Sequence, residues 1–188
     1  MRRDFGVAFI TQCAPVMAGL KPANLFRWVE PDARAMYATI ESWRAQLGPR
    51  GVRITVLKAC ARTSAFLIYV YRAAPLEKIL RRGEVRTYLE QSGYPGGTWE
   101  QHLAHLSARL CTEAEFPHEI GIFLGYPLED VIGFVRHKGK NYTCKGYWKA
   151  YGDPEAARAR FASYRKCTDV YLRCYRNGFS PARLTVAA

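Results

Sequence analysis

An α+β fold is predicted, with a small, mostly antiparallel sheet of three or four strands flanked by about six helices, in a single globular domain over residues 1–178. Three features lead there. Two β-branched, alternating runs, Val52–Leu57 and Phe66–Tyr71, stand one short loop apart and read as an antiparallel hairpin. Apolar residues recur at helical spacing in several separately capped segments. A chain of 188 residues, 49% hydrophobic and 13% aromatic, is long enough to bury one sizeable core.

In chain order, residues 3–12 read as a short helix or strand, and Pro15, Gly19 and Pro22 then punctuate Cys13–Phe26, which is expected to be irregular. Pro31 and Asp32 open a helix whose core stripe is Met36, Ile40, Trp43 and Leu47, closed by Gly48-Pro49. Beyond the hairpin, Pro75 begins a short helix to Leu80, and Val85, Tyr88 and Leu89 suggest another that stops at Gly93. Thr98 and Gln101 form a capping box for the helix carrying Trp99, Leu103, Leu106 and Leu110. His102 and His105 stand three apart on that helix, as a metal pair requires, but a third ligand at helical spacing is missing.

Pro117 sets up a turn or helix start, and His118-Glu119 open an apolar run that Gly125-Tyr126-Pro127 breaks. Leu128, Val131, Ile132 and Val135 mark the next helix, ending near Gly139, and Tyr142–Tyr151 alternates as a third strand joining or neighbouring the hairpin. Asp153-Pro154-Glu155 starts a helix that runs to about Arg176; Asn177-Gly178 stops it, and residues 179–188 are expected to be a mobile tail.

The net charge is +12, from 28 basic and 16 acidic residues, which favours anionic partners. The basic C-terminal helix with its interleaved tyrosines suggests weak, non-specific nucleic-acid binding, without any readout motif. No stretch approaches the roughly 18 apolar residues of a membrane span, and Asp4 and Gln12 interrupt the signal-like N-terminus, so a cytoplasmic protein with no membrane insertion is expected. The six cysteines include no C-x-x-C pair, which speaks against a zinc ribbon or a thioredoxin-type centre. Cys167 and Cys174 share a helical face about 10 Å apart, too far for a disulfide.

Four blocks together resemble domain-of-unknown-function family 3793 of anaerobic bacteria: Cys13–Lys21, Tyr69–Arg72, Phe116–Pro127 (FPHEIGIFLGYP) and Gly146–Tyr151. Their order and spacing match over nearly the whole chain, with Ala150 standing where a valine is more usual. The resemblance implies a single-domain cytosolic protein with Cys13, Lys21, Arg72, His118, Glu119, Tyr147 and Lys149 as characteristic positions, and it brings no established activity.

The leading expectation is a pocket for a small anionic ligand or cofactor, lined by Cys13, Lys21, Arg72, His118 and Lys149. In it Lys21, Arg72 and Lys149 supply cations, Tyr147 and Trp148 supply stacking surfaces, and Gly121 and Gly125 allow close approach. A thiol enzyme is the alternative, with Cys13 as nucleophile, His118 as base or acid and Glu119 orienting the imidazole. Zinc or iron on Cys13, His118 and Glu119 is a further variant. Both alternatives require Cys13 and His118 on the wall of one pocket.

Overall fold

The computed structural model of the protein describes residues 4–113 and 115–187; Arg3 and Ala188, which end two of the expected segments, lie outside them. The fold is α+β. It begins with α1 (Phe5–Met17), β1 (Ala23–Val29), α2 (Ala33–Leu47), β2 (Arg53–Cys60) and β3 (Ala65–Tyr71). Then come α3 (Ala73–Leu80), α4 (Gly83–Gln91), α5 (Trp99–Thr112), α6 (Ile120–Phe123) and α7 (Leu128–Arg136). The short strands β4 (Cys144–Lys145) and β5 (Lys149–Ala150) precede the long α8 (Pro154–Arg176) and α9 (Pro181–Leu184). Two compact units result, one from residues up to 73 and from 166 onward, the other from residues 74–165. No helix among the described residues is long and apolar enough to cross a membrane.

In the first unit the sheet order is β1-β3-β2, antiparallel throughout. The β2–β3 hairpin is as expected, but its third strand is β1, whereas Cys144–Lys145 pairs only with Lys149–Ala150 in a separate two-stranded ribbon. Alternation explains β1: Phe26 sits opposite Ile68 and Trp28 opposite Phe66, which adds a row of large side chains to the face that also carries Ile54 and Val70. The two runs Cys13–Phe26 was expected to leave irregular are therefore a helix end and a strand. Helix α1 starts on the Asp4 carboxylate, which accepts from Val7 N–H, and continues through Cys13 and Pro15. Pro15, two residues before the end of α1, lacks only the N–H that would have bonded to Thr11 O, and with so little helix beyond it the break goes no further.

Helices α1 and α2 supply the other half of this core. Phe9 and Trp43 approach to 4.2 Å between ring centroids, and Phe5 meets Trp28 edge-on at 5.3 Å. Asp32 caps α2 by accepting from Ala35 N–H. The residues after Gly178, expected as a tail, make α9 and place Leu184 against this core, while Val186 N–H donates to Met17 O at 3.0 Å.

In the second unit the Thr98–Gln101 capping box of α5 is complete in both directions. Asp153 likewise accepts from Glu155 N–H and Ala156 N–H at the start of α8. His118 and Glu119 lie in a turn ahead of α6, which is only four residues long. The stripe expected on α7 is rotated: Val135 is exposed, and the buried residues are Asp130, Val131 and Gly133.

Candidate functional site

The second unit holds a cavity of about 350 Å³. Its floor is apolar, from Ile120, Gly121 and Leu124 of the α6 segment and Val131 and Phe134 of α7. Gly125 turns the chain between these segments with φ +76°, a left-handed conformation that favours glycine. The opposite wall is Tyr126 stacked on Trp148, ring centroids 4.8 Å apart, with Tyr147 beside them. Burial pushes the Tyr126 hydroxyl up to about 12, so it stays a neutral donor. The exposed His118, Lys145 and Phe116 and the half-buried Lys149 complete the lining.

The ribbon β4–β5 presents this wall because its Gly146-Tyr147-Trp148 turn is tightly seated. Gly146 N–H donates to Trp148 O at 2.9 Å, and a Cβ at Gly146 would fall on the ring of Phe161 from α8. Trp148 meets that same ring edge-on at 4.5 Å. Its indole Nε1–H donates to Asp130 Oδ2 at 2.6 Å, and Asp130 Oδ1 accepts from the backbone N–H groups of Tyr151 (2.6 Å) and Gly152 (3.0 Å). Asp130 is buried, at 4% exposure, and with three donors it locks the ribbon to α7.

Lys149 has two tasks. Its ammonium donates to Gly139 O at 2.8 Å and lies over the rings of Tyr142 (5.3 Å) and Phe134 (5.7 Å). That contact pins a loop in which Lys138, Gly139 and Asn141 all adopt positive φ. Lys149 also lines the cavity.

Of the residues singled out in the sequence, His118, Tyr147, Trp148 and Lys149 line this one cavity. Glu119, beside His118 in the chain, turns away from it: its carboxylate accepts from Tyr94 Oη at 2.9 Å and from Arg109 Nη1 at 2.6 Å. Arg109 also reaches Ser92 O and the Glu113 carboxylate, so Glu119 ties the α6 turn to α5 and the loop after α4.

Cys13, Lys21 and Arg72 belong to the other unit, where local partners account for each. Arg72 is buried and caps the end of α1, its Nε donating to Val16 O at 2.7 Å and its Nη2 to Met17 O at 2.8 Å and Val186 O at 2.7 Å. Lys21 is 4% exposed, with its ammonium 2.6 Å from Asn24 Oδ1; burial brings it down to about 8 from 10.5. Cys13 is wholly buried inside α1, and burial pushes its thiol far above the ordinary range despite the nearby Lys21. Gly121 is approached by the Val131 and Tyr126 side chains, which a Cβ there would crowd.

His102 is buried, with Nε2 3.0 Å from Pro95 O, and His105 packs on the Tyr94 ring at 4.6 Å. Among the described residues no group of three or more His, Cys, Asp or Glu side chains is placed to hold a metal ion. Sequence reasoning missed Asp130, Tyr126, Phe134 and Lys145. Asp130 in the first turn of α7 looks like an ordinary complement to the helix dipole. The available signal was the i, i+1, i+4 set Asp130, Val131, Phe134, which gives α7 an alternative inner face.

A family model described as a protein of unknown function (DUF3793) matches residues 9–185. No curated protein and no solved structure matches the chain.

Proposed function

Since the chain belongs to the DUF3793 family, whose description assigns no activity, we propose from the geometry that it binds a small anionic ligand in the cavity of the second unit. One observation carries this reading: a largely apolar cavity of about 350 Å³ has Lys145, Lys149 and His118 in its lining. Ligand sites commonly join an apolar lining of about 300–1,000 Å³ to a few placed polar groups. The aromatic wall is held in place before any ligand arrives, since Trp148 is fixed by Asp130, Tyr126 and Phe161. Preorganisation of this kind lowers the entropy lost on binding.

Titration calorimetry of the full chain against small organic and inorganic anions tests the proposal. A saturable ligand whose affinity falls about tenfold in Lys145→Glu, with the far-ultraviolet spectrum unchanged, is the expected result. Anion binding that is unaffected by Lys145→Glu would place the ligand elsewhere and overturn the reading.

A further inference from the structure

The cationic side chains of the cavity lining are exposed or half-buried while its aliphatic ones are buried, and that asymmetry restricts what can occupy it. The floor side chains of Ile120, Leu124, Val131 and Phe134 offer no donor or acceptor. The backbone beneath is also engaged: Leu124 N–H donates to Ile120 O, Gly125 N–H to Ile122 O and Tyr126 N–H to Gly121 O. A polar ligand group pushed onto this floor would lose its water without gaining a partner.

Charge points the same way. Asp130 is the carboxylate on the cavity wall, and its oxygens are filled by Trp148 Nε1–H and the amides of Tyr151 and Gly152. Three donors and no acceptor are what an ionised carboxylate takes. Its negative charge repels an anion from the interior. Elsewhere in the lining the sign reverses: from Val131 to Gly152 the chain carries five Lys or Arg residues and no Asp or Glu. Lys145 and Lys149 from that stretch line the cavity with His118.

Resting on the anionic-ligand reading above, we infer that the ligand is a small amphiphilic monocarboxylate, its compact apolar body on the Ile120–Val131–Phe134 floor and its carboxylate at Lys145 and Lys149. A nucleotide fits poorly, because its base edge carries several donors and acceptors that the floor cannot meet. Inorganic phosphate fits poorly for the opposite reason: it has no apolar body to bury. The cavity volume lies at the small end of ligand sites, which selects a single ring or a short acyl chain.

The test is calorimetric titration of the full chain with phenylacetate, octanoate, their neutral primary amides, adenosine monophosphate and inorganic phosphate. At least one carboxylate should bind saturably, about tenfold tighter than its amide, and lose that advantage in Lys145→Glu. Phenylacetate alone identifies an aryl ligand and octanoate alone an acyl one, and either supports the inference. Binding of adenosine monophosphate or phosphate without either carboxylate overturns the amphiphile and leaves the anionic-ligand reading standing. Amides that bind as tightly as the acids, in wild type and in Lys145→Glu alike, overturn both. Absence of carboxylate binding together with full protection of the Trp148 indole N–H from exchange overturns the inference with the cavity shown intact.

Discussion

Replacing Asp130 by alanine should release the aromatic wall of the cavity while the rest of the fold remains. The carboxylate takes three hydrogen bonds, from Trp148 Nε1–H at 2.6 Å, Tyr151 N–H at 2.6 Å and Gly152 N–H at 3.0 Å. A hydrogen bond to a charged group contributes about 1.5–3 kcal/mol, and an abandoned buried donor costs about 1–3 kcal/mol. The Trp148 donor is buried and loses its partner outright, whereas the Tyr151 and Gly152 amides are partly buried and regain water. The expected loss is therefore on the order of 2–4 kcal/mol, below the simple sum of three bonds. Amide hydrogen exchange followed residue by residue is the suitable assay, because it reports the ribbon separately from the first unit. Protection should fall at Tyr151 and Gly152 and stay unchanged in β3. Trp148→Phe removes the indole N–H but keeps a ring in place. In a double-mutant cycle the two changes should couple by about 1–2 kcal/mol. A loss under about 0.5 kcal/mol in Asp130→Ala, or no coupling to Trp148, would refute the assignment of Asp130 as the anchor of the wall.

Two further outcomes concern Lys21 and the cysteines. The ammonium of Lys21 titrates at about 8 when folded and 10.5 when unfolded, so between those values the unfolded chain holds a proton that the folded chain has released. Raising the pH across that window should stabilise wild type relative to Lys21→Met by about 3 kcal/mol; a difference that shrinks as pH rises would contradict it. The buried Cys13 thiol, whose ionisation is lifted by folding, opposes this trend above pH 9 in both proteins, which is why the comparison is made between them. Native alkylation should reach Cys60 and the exposed Cys111 first and Cys13 last. Hydrogen bonds from Thr63 hold the Cys60 thiol below its ordinary value, while burial raises Cys13, and raises Cys167 to about 11. Cys13 modified as fast as Cys60, measured by peptide mass spectrometry, would refute that order.

Local signals in the sequence settled much of this protein. Asp32, the Thr98–Gln101 pair and Asp153-Pro154 each start a helix where they stand, because a cap is satisfied by amides two or three residues away. The same locality brought His118, Tyr147, Trp148 and Lys149 to attention, as they come from two short, dense blocks that a turn and a ribbon carry to one cavity. Partner choice across the chain was decided only by tertiary structure. Whether Ala23–Val29 or Tyr142–Tyr151 supplies the third strand depends on which run completes the Phe66–Ile68–Val70 face, and periodicity within either run is silent on that. Arg72 and Glu119 are charged residues in distinctive blocks. Their charges are spent on the carbonyls of Val16, Met17 and Val186 and on Arg109, contacts separated by 10 to 114 positions in sequence. Asp130 shows the same limit from the other side: an acid in the first turn of a helix reads as a complement to the helix dipole, and it becomes the anchor of the site because it is buried and accepts from the Trp148 indole.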